Sequence, residues 1–229
     1  MKVVYETNGK GFLGWIENLP GAYVRGKTIE EAQNKYKREI KEYGQWLDIE
    51  VNEADKIDEV IVHSNLMIED ADSNIILERE KKEYENENDF YRECELAFLS
   101  AKKVDSIYNK CKNKNVIDDN KVRKTFYGNV YSTIFEQYKH ICNVQQYYLG
   151  QVGLKADIDL DIIKGRKNSI DELIKKYKEE GNRVFKNDEE DWSIRKILRR
   201  LIWHDRIHAK AIERMEYNIT NKYKPDISQ

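Results

Sequence analysis

One stretch near the C-terminal end limits what this chain can fold into more than any other. Between residues 194 and 215, apolar residues and two histidines recur in steps of three and four without a slip. The seven positions are Ile194, Ile197, Leu201, His204, His208, Ala211 and Met215. Steps of this size place all seven on one face of an α-helix. The sequence therefore predicts a helix that packs this face into the core of a helical domain.

Four long helices are predicted from about residue 78 onward. They are expected near residues 79–111, 121–150, 169–186 and 191–217. Gly150 and Gly153 mark the end of the second helix. Ser169 and Glu172 form a capping box at the start of the third, and Asp191 is expected to cap the fourth. Amphipathic helices joined by short or moderate connections favour a four-helix bundle.

The second helix contributes a third histidine to the predicted core. Its inward face is expected to run through Phe126, Val130, Thr133, Gln137, His140, Val144 and Tyr147. Buried polar groups destabilise a fold unless they are satisfied, so polar core positions on two helices indicate a site. His204 and His208 lie on one helix face, about 6 Å apart along its axis. The sequence predicts a divalent metal bound by His140, His204 and His208, with Asp205 and Gln137 orienting these ligands.

The donor set predicts an open metal site. Three neutral imidazoles suit Zn²⁺, Ni²⁺, Mn²⁺ or Fe²⁺ and leave at least one position for water or substrate. Cys142 is turned by about 200° from His140 around the helix and is expected to face away. The alternative interpretation is a salt-bridged polar layer, in which the same histidines pair with Asp205 or Glu136. The fourth histidine, His63, lies outside the helical region.

Two segments resemble a known family. They are residues 140–149, HICNVQQYYL, and residues 192–208, WSIRKILRRLIWHDRIH. Both are similar to the metal-bearing helices of the DinB-like superfamily. The resemblance implies an up-down-down-up four-helix bundle with one histidine on the second helix and an H-x-x-x-H pair on the fourth. It also implies a homodimer and a small-molecule substrate, because some members are metal-dependent S-transferases or isomerases that use low-molecular-weight thiols.

The segment from His204 to His208 is also similar to the zincin motif H-E-x-x-H, with Asp205 in place of the catalytic glutamate. The shorter side chain would sit too far from a metal-bound water. Only 21 residues follow His208 in this sequence. A protease is therefore not expected.

The first 72 residues predict a small α+β domain. Strands are expected at Val3–Glu6, Phe12–Ile16, Ala22–Arg25 and Val60–Val62. Thr28 and Glu31 form a capping box for a helix that runs to about Trp46. Residues 70–74 are typical of a linker, which gives two predicted domains, 1–72 and 73–229.

This N-terminal segment has a resemblance of its own. Residues 11–32, GFLGWIENLPGAYVRGKTIEEA, contain a strand pair, a Leu-Pro-Gly turn and a Thr-x-x-Glu-Ala helix start. They are similar to the HicB-type antitoxin fold, which implies a β-β-β-α unit of partial RNase-H-like form that can bind a toxin or another protein. No DNA-binding motif follows, so DNA-binding repression is not expected. The second hypothesis is thus a non-enzymatic protein whose N-terminal unit binds a protein partner.

Composition limits the functions and the cellular location that the sequence predicts. The chain has 40 Lys+Arg and 42 Asp+Glu, a net charge of -2, which argues against nucleic-acid binding. Lys196, Arg199 and Arg200 are expected to form a solvated face of the fourth helix or to attract an anionic substrate. No apolar run reaches the length of a membrane span, and the N-terminus does not match a secretory signal. Three scattered cysteines without a C-x-x-C pair suit a reduced, cytoplasmic protein.

Overall fold

The computed structural model describes residues 1–52, 56–122, 124–125, 128–188 and 190–222. A small mixed β-sheet is followed by a mostly helical region, an arrangement consistent with two domains. The division at residues 72 and 73 stays a prediction. Within the described ranges, no helix combines the length and apolar character that crossing a membrane requires.

The sheet has the strand order β3-β2-β1-β4. Strand β1 (Lys2–Thr7) pairs antiparallel with β2 (Phe12–Ile16), which pairs antiparallel with β3 (Tyr23–Gly26). Strand β4 (Asp58–His63) lies parallel to β1 at the other edge. The four predicted strands are confirmed, although β4 is longer than expected.

Two short helices, α1 (Ile29–Gln33) and α2 (Tyr36–Leu47), follow the first three strands. The Thr28 hydroxyl accepts a hydrogen bond from the Glu31 N–H at 3.2 Å, which confirms the predicted start. The Glu31 carboxylate bonds the N–H of Lys27, one residue earlier than in a capping box. A single helix to Trp46 is wrong, because the chain breaks the helix between Gln33 and Tyr36.

Four long helices form most of the remaining fold: α3 (Glu87–Lys110), α4 (Ile134–Gly150), α5 (Ile162–Glu180) and α6 (Ile194–Lys222). Helix α3 packs against α5 and α6, and α4 packs against the same two helices. A two-stranded ribbon, β5 (Lys124–Thr125) with β6 (Gly128–Asn129), precedes α4. All four predicted helices exist, but their boundaries differ from the expected ones.

Side-chain caps explain where the first two of these helices begin. Asn86 accepts a hydrogen bond from the Asp89 N–H at 3.1 Å, so α3 begins at residue 87 and not near 79. Thr133 and Glu136 form a complete capping box, which places the start of α4 at residue 134. The predicted start near 121 is wrong, since residues 119–121 form one turn of 3₁₀ helix.

Side-chain caps also show where the last two helices begin. Asp161 accepts from the N–H groups of residues 163 and 164, so α5 begins at 162. Ser169, the expected start, is buried inside α5. The Ser193 hydroxyl accepts from the Lys196 N–H at 3.1 Å, so Ser193 caps α6 and Asp191 does not.

The N-terminal unit packs directly on α6. Gly21, in the Leu-Pro-Gly turn, has φ +87°, and a Cβ there would lie 2.6 Å from Ile202 Cγ2 and 2.8 Å from the Trp203 backbone nitrogen. The rings of Trp15 and Trp203 are 5.2 Å apart between centroids. Only glycine therefore allows the turn to approach the helix this closely.

The prediction that the basic residues of α6 form a solvated face is wrong. Lys196 and Arg199 are buried, because the N-terminal unit and the chain after it cover that side of α6. Arg199 forms an ion pair with Glu80, and Lys196 lies 2.7 Å from Glu190. Arg200 donates to the Ser73 carbonyl at 2.8 Å. These basic residues hold segments of the fold together.

Candidate metal centre

Three histidines from two helices converge at one point. His140 lies on α4, and His204 and His208 lie one turn apart on α6. One ring nitrogen of each histidine lies within 4.8 Å of the other two, and among the described residues this group contains no carboxylate or thiol. Nε2 of His140 lies 2.9 Å from Nε2 of His204. The predicted convergence of these three residues is confirmed.

The inward face of α6 is the predicted one. Its five apolar members are buried, His204 is buried and His208 is half-buried.

The expected face of α4 is only partly correct. Phe126 lies outside the described residues, and Tyr147 is 49% exposed while Tyr148 is buried in its place. His140, at the margin of this face, is half-buried.

Gln137 fixes the orientation of His208. Its Nε2 donates to the backbone carbonyl of Tyr131 at 3.0 Å, which turns Oε1 toward Nδ1 of His208 at 2.6 Å. Since Oε1 can only accept, Nδ1 of His208 carries the proton and Nε2 keeps a free electron pair. An imidazole held in this way through its second nitrogen is typical of metal ligands. This contact is the one that the orienting role predicted for Gln137 requires, and the role itself stays a prediction.

Tyr131 is a second orienting residue, and the sequence reasoning missed it. Its hydroxyl oxygen lies 3.2 Å from Nδ1 of His140, and the two rings are 4.7 Å apart between centroids. The same residue supplies the carbonyl that orients Gln137. Tyr131 thus supports His140 directly and His208 through Gln137. It precedes the Thr133 cap, where helical periodicity gives no signal.

His204 is held differently from the other two. Its Nδ1 is buried and has no hydrogen-bond partner among the described residues. The ring of Tyr148 lies edge-on to the imidazole, 6.2 Å between centroids. Packing rather than a second hydrogen bond therefore orients His204.

Burial keeps the three imidazoles neutral. It lowers the pKa of His140 to about 4. Burial, reinforced by the neighbouring histidines, holds the pKa of His204 and of His208 well below the usual range. Metal ions bind the deprotonated imidazole. All three histidines are in the protonation state that a metal requires at neutral pH.

Asp205, the other expected orienting residue, points elsewhere. Its two carboxylate oxygens each lie 3.0 Å from the guanidinium of Arg166 on α5, and both residues are fully buried. Arg166 also donates to the Ala97 carbonyl on α3 and to Gln145 on α4, each at 2.7 Å. One guanidinium thereby joins all four long helices. Asp205 fixes the position of α6, and no hydrogen bond joins it to a described histidine.

Three ring nitrogens that lie within 4.8 Å of one another could hold a metal ion. Nitrogens bound to one ion at about 2.0–2.1 Å lie no more than ~4.2 Å apart. The two Nε2 atoms of His140 and His204 are within this limit at 2.9 Å, which is also a hydrogen-bond distance. The two carboxylates proposed for a salt-bridged layer have other partners. Asp205 pairs with Arg166, and Glu136 accepts from the N–H groups of Ser132 and Thr133. The thiol of Cys142 is buried in the core cluster of Ile141 and Ile162, and burial raises its pKa to about 12. A thiolate ligand from this residue is therefore not expected.

A cavity of about 910 Å³ lies away from this site. It lies between α2, α3 and α6 and is lined by residues such as Trp46, Ile107 and Tyr217. Its α6 members point away from the face that carries His204 and His208. The histidine cluster lies instead between α4 and α6, beside the loop that carries Tyr131.

Comparisons with known proteins name no relative. No family model matches this chain, and no curated protein or solved structure matches it. The resemblances to the DinB-like and HicB-type families therefore depend on the motifs in the sequence and stay predictions.

Proposed function

We propose that this protein is a divalent-metal-dependent enzyme of the DinB-like type, with His140, His204 and His208 as the metal ligands. Zn²⁺, Ni²⁺, Mn²⁺ and Fe²⁺ are the candidate ions. The substrate would be a small molecule, and the reaction would transfer a group to or from a low-molecular-weight thiol. The convergence of three neutral imidazoles from two helices is the observation that carries this proposal.

The surroundings of the histidines support an open catalytic site over a closed structural one. A closed site needs a fourth protein ligand, and no carboxylate or thiol of the described residues joins the cluster. Because His140 and His208 are only half-buried, a small molecule can approach from their side. Their second nitrogens are already engaged by Tyr131 and Gln137, so the ligands are preorganised.

The fold supports the same proposal at a coarser level. We infer that α3 to α6 form the up-down-down-up four-helix bundle that the DinB-like resemblance implies. The packing of α3 and of α4 against both α5 and α6 supports four helices around one core. We also infer that the N-terminal unit is HicB-like, since its first elements follow the order β-β-β-α. In this arrangement the N-terminal unit stabilises α6 from the side opposite the histidines.

A divalent ion in such a donor set supplies Lewis-acid chemistry and lowers the pKa of a bound thiol or water. The chain provides ligands that carry no charge, so the charge of the ion remains available to an anionic substrate. Gln137 and Tyr131 hold two of the imidazoles in place. The buried Arg166–Asp205 pair keeps α6 from shifting relative to α3, α4 and α5.

A thiol-transfer assay tests this proposal. The metal-free protein would be loaded in turn with each of the four ions and mixed with a low-molecular-weight thiol and an electrophilic acceptor. We expect thiol consumption that requires the metal and is lost in His204→Ala. The control is His63→Ala, at an exposed histidine of β4 outside the cluster, which should consume thiol as wild type does. Equal rates for wild type and His204→Ala, or no thiol transfer with any of the ions, would contradict the proposal.

A further inference from the structure

Strand β4 is an exposed edge of the sheet. In the described part of the chain it pairs only with β1, and its other edge has no strand beside it. Val60 and Ile61 in its centre are 43% and 49% exposed. An open edge with exposed apolar side chains is a template for pairing with another strand.

The backbone groups that face outward can be read from the pairing with β1. The N–H of Asp58 bonds the Met1 carbonyl and the N–H of Ser64 bonds the Thr7 carbonyl, each at 2.9 Å. In a parallel ladder every second residue bonds the neighbouring strand, so the even-numbered residues of β4 face β1. The N–H and C=O groups of residues 59, 61 and 63 therefore point away from the sheet.

We propose that β4 pairs antiparallel with β4 of a second copy of this chain, with Ile61 on the two-fold axis. In this register Ile61 lies opposite Ile61 of the second copy, and Glu59 lies opposite its His63. All three residues carry outward backbone groups, so each of these pairs exchanges two hydrogen bonds. Val60 then lies opposite Val62 on the other face of the joined sheet.

Charge and side-chain chemistry select this register over its neighbours. Glu59 is held on the sheet by the Tyr36 hydroxyl at 2.9 Å and Gln33 at 2.7 Å, and an opposing imidazole N–H can donate to the same carboxylate. A shift by two residues would place Glu59 opposite Ile61, and a shift by four would place it opposite another Glu59. Opposed like charges destabilise a strand pair, whereas opposed apolar side chains stabilise it. A second copy therefore fits this edge better than a strand without the complementary pattern.

Cysteine cross-linking tests both the partner and the register. In the proposed register the Cα atoms of the two Ile61 residues are about 5.5 Å apart, within reach of a disulfide. The two Val60 residues are about 8 Å apart, beyond that reach. The native cysteines are all buried and do not compete. Under oxidation we expect Ile61→Cys to form a covalent dimer of the 27.3 kDa chain. Val60→Cys, its matched control, should form no covalent dimer, so that denaturing electrophoresis without reductant shows the single chain.

A measurement of mass in solution completes the test. By sedimentation we expect wild type to form a dimer as its concentration rises, Ile61→Lys to stay monomeric, and Ile158→Lys to behave as wild type. Ile158 is a fair control because it is exposed to a similar extent, 51%, and lies in a loop before α5. Should Ile61→Lys fail to fold, the cysteine pair still decides the question.

Several outcomes would overturn the proposed interface. They are a wild type that is monomeric at every concentration, a dimer that persists in Ile61→Lys, a cross-link through Val60→Cys, and a different protein bound at β4. None of these outcomes bears on metal binding, so this interface and the metal centre can fail independently.

Discussion

Gln137 connects His208 to the loop before α4: its Oε1 lies 2.6 Å from Nδ1 of His208, and its Nε2 lies 3.0 Å from the carbonyl oxygen of Tyr131. The second contact fixes the orientation of the amide, and the amide then fixes which nitrogen of His208 carries the proton. A residue of α4 thus determines the ligand atom that α6 presents. Metal binding at this site should therefore depend on Gln137 as well as on the three ligands.

We expect Gln137→Leu to weaken metal binding. The substitution keeps the size of the side chain but removes the acceptor for the Nδ1 proton of His208. Loss of such an outer contact typically costs 10- to 100-fold in affinity. Competition with a chromogenic chelator would measure the dissociation constant. Gln151→Leu, after the end of α4 and without a histidine contact, is the control; equal affinities for both variants would contradict the orienting role.

Tyr131→Phe should have a smaller effect. It removes the hydroxyl beside Nδ1 of His140 but keeps the ring and the backbone carbonyl that orients Gln137. A neutral hydrogen bond contributes about 0.5–1.5 kcal/mol, so metal affinity should fall by roughly 2- to 13-fold. The electronic spectrum of the Co²⁺-loaded protein should change as well, because the orientation of one ligand changes. Tyr147→Phe, on the exposed side of α4, is the control and should leave the metal affinity and the Co²⁺ spectrum unchanged. A Tyr131→Phe spectrum that matches wild type would show that Tyr131 does not orient His140.

Asp205→Ala should destabilise the fold with or without metal. It leaves the Arg166 guanidinium buried without its carboxylate partner, and loss of one member of a buried ion pair costs about 3–5 kcal/mol. Urea unfolding in the presence of a chelator would measure this change in the free energy of unfolding. Asp159→Ala, which removes an ion pair with the exposed Lys164, should change it by less than about 1 kcal/mol. A loss that appears only in the metal-loaded protein would show that Asp205 acts on the metal after all.

The metal-free protein should lose stability in mild acid through its histidines. The pKa of His140 is about 4 in the folded state, below the value of about 6.5 in the unfolded chain. Between these values the unfolded state binds more protons, so the free energy of unfolding falls as the pH falls from about 6.5 toward 4. This histidine alone contributes up to about 3 kcal/mol to the fall.

Urea unfolding at several pH values, with a chelator present, would measure that fall. His140→Gln should show a shallower decline than wild type, because glutamine does not titrate and the carboxylates common to both proteins cancel in the difference. Parallel declines for the two proteins would mean that His140 is protonated as readily in the folded state as in the unfolded chain.

Periodicity made the main elements of this site predictable. The face of α6 that carries His204 and His208 follows from spacing alone, and a polar position at Gln137 within an apolar face marks the matching part of α4. The strands at Phe12–Ile16 and Tyr23–Gly26 follow from short β-favouring runs between turn residues. Such signals are local, and they survive in the folded chain because each element buries the face that its spacing defines.

Contacts between distant segments were not predictable in the same way. Asp205 pairs with Arg166, 39 residues away, and the sequence contains no sign of that pairing. Arg199 is polar and lies on a helix, so it was expected in solvent; the N-terminal unit covers it instead. Tyr131 lies outside any helix, and its role depends on how the chain turns before Thr133. Helix boundaries shifted for a related reason, since several serines, threonines and acids could each have served as the cap.

The metal content of the purified protein tests the proposed centre most directly. Inductively coupled plasma mass spectrometry would be carried out on protein made without a histidine tag, with wild type, His204→Ala and His63→Ala measured side by side. We expect about one divalent ion per chain in wild type and in His63→Ala, and essentially none in His204→Ala. Wild type that takes up no metal, even after incubation with Zn²⁺, Ni²⁺ and Mn²⁺, would contradict the proposal and leave the three histidines as a structural polar layer.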